Sequence, residues 1–406
     1  MLEAGIRALR ANFIRETIDG ITDTNPAWLL FSDELDDASY SPEGNIFPRR
    51  AIGSPDVKGF ELGPEDHGMA IIYSMQRWLV AAGPVPLDAS ADGMLRDVNG
   101  GYLSRHSVLT RQSFLAAGTD AGGFRIYSYG TGGIVQKAMV KGSPDSGDPT
   151  KVTLEYLFEK ARSYLINQPV SGTFVTIVSD DAADTTQSVT IEDDGAAASE
   201  TLALNGTTPV IGITSFTTID AIRLDAETLG DITITFTTGG NIVLVIEGKT
   251  SNNGIEGDLG LPLLGSGSFE AALATAFQTV LSATITRAAA ALATNVMGIG
   301  FEITNNVEQN PLVGTRKKSL SPGNRDMTFN GTVFSDKASH DDIIAHLQAT
   351  EGDIVWTFTG GVSARTVTLG AAALTAPGER KYTKGEATMR RDNVFTAQTI
   401  VISTGL

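Results

Sequence analysis

Two runs of alternating apolar and polar residues, 297–304 and Met327, Phe329, Gly331, Val333, enclose a long polar connection carrying Arg316, Lys317 and Lys318. Alternation of that period marks half-buried strands, so two β-strands joined by an extended basic arm over 304–326 are expected. A connection of roughly twenty residues is long for a compact domain, and needs either a function or a partner surface to lie on. The pattern argues against a self-contained monomer.

At 406 residues the chain is too long for one hydrophobic core and suggests two to four domains. Its 44 glycines and abundant threonine favour sheet and turns over helix, so a mainly β fold is expected. Zero cysteine excludes a disulfide scaffold and thiolate catalysis, and four separated histidines leave little for a zinc or iron site. A net charge of −17 repels the phosphate backbone at long range. A sequence-specific DNA binder is disfavoured, whereas a conduit through which DNA slides would want this sign. No window reaches eighteen apolar residues and no basic leader precedes an apolar run, so synthesis in a cytoplasm without membrane insertion is expected.

Along the chain, Leu2, Ile6, Leu9 and Phe13 stand at helical spacing. Residues 1–60, including the polar stretch Ser39 to Ser54, read as an irregular arm, hugging its own surface or docked on a neighbouring subunit. From Val57 to Leu79 the order of features resembles 297–334: apolar run, polar loop with Arg49 and Arg50, a turn, then an apolar strand. Residues 63–68, GPEDHG, stand where 321–326, SPGNRD, stand later, and point to an internal duplication. Residues 81–108 read as loop. Strands are expected at 113–116, 124–129, 133–140 and 152–158, and a short helix or linker at 159–166.

Near Pro169 the character changes. Seven short Thr/Val/Ile-rich runs, 174–178, 188–191, 200–204, 210–213, 221–224, 232–236 and 242–246, describe a small two-sheet sandwich. Residues 171–250 hold twelve acidic and two basic residues, so much of the net charge sits in what reads as an insert. Ser268 is a candidate cap for a helix carrying Phe269, Leu273, Phe277 and Val280 or Leu281; the following Thr284 to Thr286 favour strand, and Ala288 to Ala293 suit helix. Ser339 is a candidate cap for a helix over 341–347. Strands are expected at 354–358, 365–369 and 394–402.

No chemistry assembles from these residues. The run Tyr129 to Gly133 lacks the lysine and helix of a phosphate loop. His67 beside Glu65 and Asp66 fits a polar turn better than a general base, and His340 and His346 do not have the spacing of a zinc-binding helix. Asp180, Asp181 and Asp184, and separately Glu192, Asp193 and Asp194, are candidate calcium ligands without the spacing of a calcium loop; solvated turns are favoured. Asn205 and Asn330 match the glycosylation rule, which has meaning only on a secretory route. No catalytic, metal or cofactor residue is assigned, and no enzyme is expected. The cluster Arg316, Lys317 and Lys318 has three readings: nucleic-acid contact, a solvated loop, or pairing with acidic patches on another copy, which is favoured.

Residues 301–308, FEITNNVE, then 311–314, then 321–334, SPGNRDMTFNGTVF, resemble the tail tube proteins, or major tail proteins, of long-tailed, non-contractile bacteriophages (siphophages). Residues 113–116, 124–127, 133–137 and 151–156 are similar to the strands of a tube subunit's inner sheet. The resemblance covers about three quarters of the chain, and implies a mainly β fold of two tandem tail-tube-like β-sandwich or barrel domains with short helices. These would be 1–168, with an N-terminal arm, and 253–406, with the long arm 304–326; an inserted immunoglobulin-like acidic sandwich would span 169–252. Implied is a structural virion protein that self-assembles as stacked rings in the host cytoplasm and forms the tail channel for genome ejection. A ring would hold three subunits if the doubling is real and otherwise six. Its partners would be further copies, a tape measure protein in the lumen, tail terminator and distal tail proteins, and DNA in transit without sequence-specific binding, with no membrane. Contacts between subunits or rings would fall on Asn306, Pro311, Arg316, Lys317, Lys318, Asn324, Arg325 and Asp326. The rival expectation is an adhesive fibre or cell-surface β-domain protein that binds host glycans or proteins.

Overall fold

In a computed structural model of the chain, the residues described are 8–15, 29–30, 35–50, 57–74, 105–115, 122–142, 149–193, 198–251, 256–264, 279–287, 290–293, 296–312, 318–321, 323, 326–334, 352–359, 365–376, 390–396 and 399–404. The fold is mainly β, and no helix occurs among these residues. The first half supplies β1 (Ala8–Arg15), β2 (Leu29–Leu30), β3 (Leu35–Arg50), β4 (Val57–Ser74), β5 (His106–Leu115), β6 (Gly123–Gly142), β7 (Lys151–Phe158) and β8 (Lys160–Asn167). Seven short strands follow: β9 (Val175–Ser179), β10 (Ser188–Glu192), β11 (Ser199–Ala203), β12 (Val210–Ile211), β13 (Ala221–Leu224), β14 (Ile232–Phe236) and β15 (Ile242–Ile246). The second half supplies β16 (Thr279–Arg287), β17 (Ala290–Ala293), β18 (Val296–Thr304), β19 (Glu308–Pro311), β20 (Lys318–Ser321), β21 (Asp326–Phe334), β22 (Gly352–Thr359), β23 (Arg365–Ala376), β24 (Arg390–Thr396) and β25 (Thr399–Thr404).

Several local expectations are corrected. The helical spacing near the N-terminus gives way to β1, because β5 offers it a complete antiparallel partner from Ala8 opposite Ser113 to Arg15 opposite His106. The polar stretch after Ser39 is not irregular but lies in the 16-residue strand β3, paired along its length with β4. Residues 160–167 and 290–293 are strands, and the terminal run divides into β24 and β25, which join β23 on successive segments. The candidate helix 341–347 and residues 268–278 lie outside the described residues.

One pairing scheme occurs twice, in the same chain order. The pairs β1–β2, β1–β5, β5–β6, β6–β8, β6–β7, β7–β4 and β4–β3 correspond to β16–β17, β16–β22, β22–β23, β23–β25, β23–β24, β24–β21 and β21–β18. The match extends to register. Leu157 stands opposite Ile134 and Lys160 opposite Thr131, as Thr396 stands opposite Ala373 and Thr399 opposite Gly370. Bulges coincide as well: Leu35/Asp37 in β3 with Val296/Gly298 in β18, and His106/Val108 in β5 with Gly352/Ile354 in β22. Asp66 opposite Glu43 matches Asp326 opposite Thr304, so the comparison that set Asp66 against Asn324 was two residues out of register.

The halves fuse where β18 adds to β6, with Thr304 opposite Lys137 through to Ile299 opposite Gly142. Alternation then drives one face of the joined sheet into the interior. Cross-strand rows run through the fusion: Ala38, Ile71, Leu154, Ala138, Ile303 and Met327 form one, and Tyr73, Val152, Val140, Phe301 and Phe329 another. All are buried. Each full burial of such a side chain stabilises by about 1.5–3 kcal/mol, so a one-residue slip at β6–β18 would turn the β18 members of both rows to solvent.

Strands β9 to β15 form two sheets, β11-β10-β13 and β12-β9-β14-β15, around one core that also takes Leu261 and Leu264. That core is completed by Leu109, Tyr127, Tyr129, Tyr164 and Ile166 of the first half. Asp220, 1% exposed, accepts from Arg111 Nη1 at 3.2 Å, from Arg125 Nη1 and from the Tyr127 hydroxyl. Burial alone would push its carboxyl up, but Arg125 and Arg111, with Tyr127, outweigh it and hold Asp220 below its ordinary value. Tyr164 donates to Asp258 at 2.7 Å, and burial, reinforced by Asp258, pushes that hydroxyl well up, so it stays a donor. Gln168 completes the attachment by exchanging two hydrogen bonds with the Ile219 backbone.

Candidate assembly site

The joint between halves carries side-chain as well as backbone bonds. Asn305, 1% exposed, donates through Nδ2 to the Val135 carbonyl at 2.7 Å, and its own N–H donates to the Gln136 carbonyl at 2.8 Å. One turn of the ladder away, Lys137 Nζ meets Glu302 Oε1 at 3.0 Å. On its far edge β3 pairs with no strand among the described residues, and residues 373–376 of β23 pair only with β24. By register β3 is the counterpart of β18, and Ala376 is the counterpart of Lys137, where β6–β18 begins.

Opposite the buried rows lies a face that alternation turns outward. In β7 the burial pattern separates Lys151, Thr153, Glu155 and Leu157 from Val152, Leu154, Tyr156 and Phe158. Register extends the outward set to Asp37, Ser39, Ala70, Ile72, Lys137, Met139, Lys141, Gly300, Glu302, Thr304, Asp326, Thr328 and Asn330. Charges of both signs occur on it, and Lys137 is held by Glu302 while Lys151 meets Asp36 at 2.8 Å. The large acidic excess lies instead on the insert, between Ser171 and Thr250.

The basic arm is more ordered than a long loop. Strands β19 and β20 pair from Glu308 opposite Ser321 to Pro311 opposite Lys318, and 313–317 between them lie outside the described residues. Asn306 turns the chain at its base with φ 43°, a left-handed conformation that Asn and Gly tolerate. Its Nδ2 donates to Asp326 Oδ2 at 2.8 Å. Lys318 Nζ donates to Gln309 Oε1 at 3.3 Å. The structure therefore brings together Asn306 and Asp326 at the base and Pro311 and Lys318 beneath the tip; Arg316, Lys317, Asn324 and Arg325 lie outside the described residues. Arg105 Nη2 holds the arm to the first half through the Leu320 carbonyl at 3.2 Å, while Nη1 pairs with Glu159.

The first half carries an equivalent arm, legible in the sequence as a polar stretch with Arg49 and Arg50 but not as paired strands. Phe47, Pro48 and Arg49 stand opposite Glu61, Phe60 and Gly59, matching Glu308, Gln309 and Asn310 opposite Ser321, Leu320 and Ser319. Arg49, Arg50 and Lys58 thus flank one tip as Lys318 flanks the other.

Other candidates have structural roles. Asp184, fully buried, accepts from Leu229 N, Gly230 N and the Ser179 hydroxyl. Asp180 accepts from Asp231 N, Asp181 from Ala183 N, Glu192 from Leu264 N and Asp193 from the Thr218 hydroxyl. Asp181 closes a local turn, and the others tie together segments distant in the chain. His67 is buried, with Nδ1 3.1 Å from the Tyr40 hydroxyl, against whose ring it stacks. No helix among the described residues is long and apolar enough to cross a membrane. No protein-family model and no curated protein matches the chain.

Proposed function

We propose that this chain is a structural subunit of a bacteriophage tail tube, which joins other copies edge to edge into rings that stack as a channel for DNA. The observation that carries this is β6–β18: two equivalent halves already meet head to tail, with the counterpart edges open at both ends of the pair among the described residues. A heterologous contact of this kind repeats until it closes a ring or runs on as a helix. With two equivalent units per chain, a six-fold wall needs three chains. The outward face of the joined sheet then lines the channel, where small and hydroxylated side chains and paired lysines offer DNA few fixed phosphate contacts. The two arms reach neighbouring rings, and the insert stands on the opposite side of the wall. A tape measure protein, terminator and distal tail proteins would be further partners.

Negative-stain imaging with mass photometry at rising protein concentration tests this. Rings or tubes about a hollow axis, growing in steps of one chain up to three, are expected. Isolated beads or trimeric fibres at every concentration would favour an adhesive protein instead.

A further inference from the structure

The joint within a chain and the seam between chains differ in their side chains, and we infer that this difference confines reversible assembly to the seam, where β3 of one copy receives the end of β23 from another. This rests on the head-to-tail assembly proposed above. Because the halves share register, β18 has its counterpart in β3, and Lys137, where β6–β18 begins, has its counterpart in Ala376. Thr304 opposite Lys137 becomes Glu43 opposite Ala376.

Each side-chain tie of the internal joint is missing from that seam. Asn305, which binds the Val135 carbonyl from a buried position, is replaced by Gly44. Glu302 and Lys137, which form the ion pair, are replaced by Ser41 and Ala376. Ile303 is replaced by Pro42, which lacks a backbone N–H. Where Glu43 meets Ala376, the seam therefore lacks both side-chain ties of the internal joint and the backbone donor that Ile303 supplies there. The waiting edge of β3 also carries Pro42, Pro48, Asp37 and Glu43, features that discourage an open strand from pairing with arbitrary partners. The internal joint forms as the chain folds. The seam forms only where another copy supplies the matching edge at sufficient concentration.

The absence of cysteine makes the seam directly readable. Directly opposed residues in antiparallel strands lie within disulfide reach. A Glu43→Cys, Ala376→Cys double variant, oxidised under assembling conditions, is expected to give intermolecular disulfide ladders. A Pro42→Cys, Ala376→Cys variant, one residue out of register, should not. In the unaltered protein, hydrogen exchange should find 137–142 and 299–304 protected already in dilute solution, and the outer edge of 38–43 protected only after assembly. A Ser41→Glu, Ala376→Lys variant should assemble at a several-fold lower concentration than the unaltered chain. Rings whose ladders form only in the out-of-register variant, or whose two joints gain protection together, would overturn the seam and leave the tube standing. A chain that never self-associates would overturn both.

Discussion

Lys137 and Glu302 come from opposite halves of the chain and meet at 3.0 Å across the ladder that makes those halves one sheet. Both are about 30% exposed, at 29% and 30%, so the pair contributes no more than about 1 kcal/mol. Asn305, beside them and almost wholly buried, matters more. Asn305→Ala leaves the Val135 carbonyl without its donor and should cost about 1–3 kcal/mol, against under about 1 kcal/mol for Lys137→Ala. Denaturant unfolding gives the size, and loss of exchange protection confined first to 137–142 and 299–304 would locate it.

Asp220 is the most deeply buried carboxylate in the docking of the insert. Asp220→Asn leaves Arg111 and Arg125 buried without a counter-charge and should destabilise by about 3–5 kcal/mol. Replacing all three with apolar residues of similar volume should cost far less, because the desolvation of the ions disappears with them. Since the folded-state pKa of Asp220 lies below its ordinary value, its contribution is complete above about pH 4 and is lost as pH falls further. Thermal unfolding of both variants between pH 3 and 7, values chosen from that ordinary range, checks the cost and its sign.

The base of the basic arm over 304–326 is set by one backbone angle. Asn306→Gly keeps the left-handed turn and loses only the bond to Asp326, whereas Asn306→Val should disorder the arm, since a branched side chain resists φ 43°. Gly323→Ala should act like the valine, because its Cβ would strike the Asn306 carbonyl oxygen. Limited proteolysis between Pro311 and Lys318 reads all three.

Gly130 and Gly133 let Phe158 lie flat on β6. Added Cβ atoms would overlap its ring, so Gly133→Ala should cost about 1–3 kcal/mol, and Phe158→Leu in the same chain should recover part of it. A double-mutant cycle measures the coupling.

If the arms bridge copies by charge, replacing Arg316, Lys317 and Lys318 with glutamate should raise the concentration needed for assembly at low salt, with the effect fading as salt screens it. Replacing Arg49, Arg50 and Lys58 tests the equivalent arm. Light scattering across a salt series distinguishes charge pairing from a passive loop.

What was legible followed the strength of the local pattern. The seven insert strands could be placed because Thr/Val/Ile runs between Gly and Asp turns leave little choice, as with 232–236 and 242–246, which the structure places at the same residues. Strand β1 could not be, since its helical spacing is overridden by pairing to β5, a partner about a hundred residues away. The arm's basic residues were visible, but its hairpin was not, because Glu308–Pro311 has neither β-branched residues nor alternation. Asn305 and Asp220 were missed for a common reason: each matters through a distant partner, Val135 or Arg111, that no local pattern announces.

The coincident bulges at Leu35/Asp37 and Val296/Gly298 bear on how such a chain can change over time. Side chains in a ladder can be exchanged one by one, as Ile71 and Gly331 or Leu154 and Asn393 have been at matching stations. Spacing has no such latitude, because one residue gained or lost turns a strand inside out beyond that point. Two segments can thus diverge until their letters no longer betray a common origin while the interval between stations stays fixed, and kinship is then better sought by counting than by spelling.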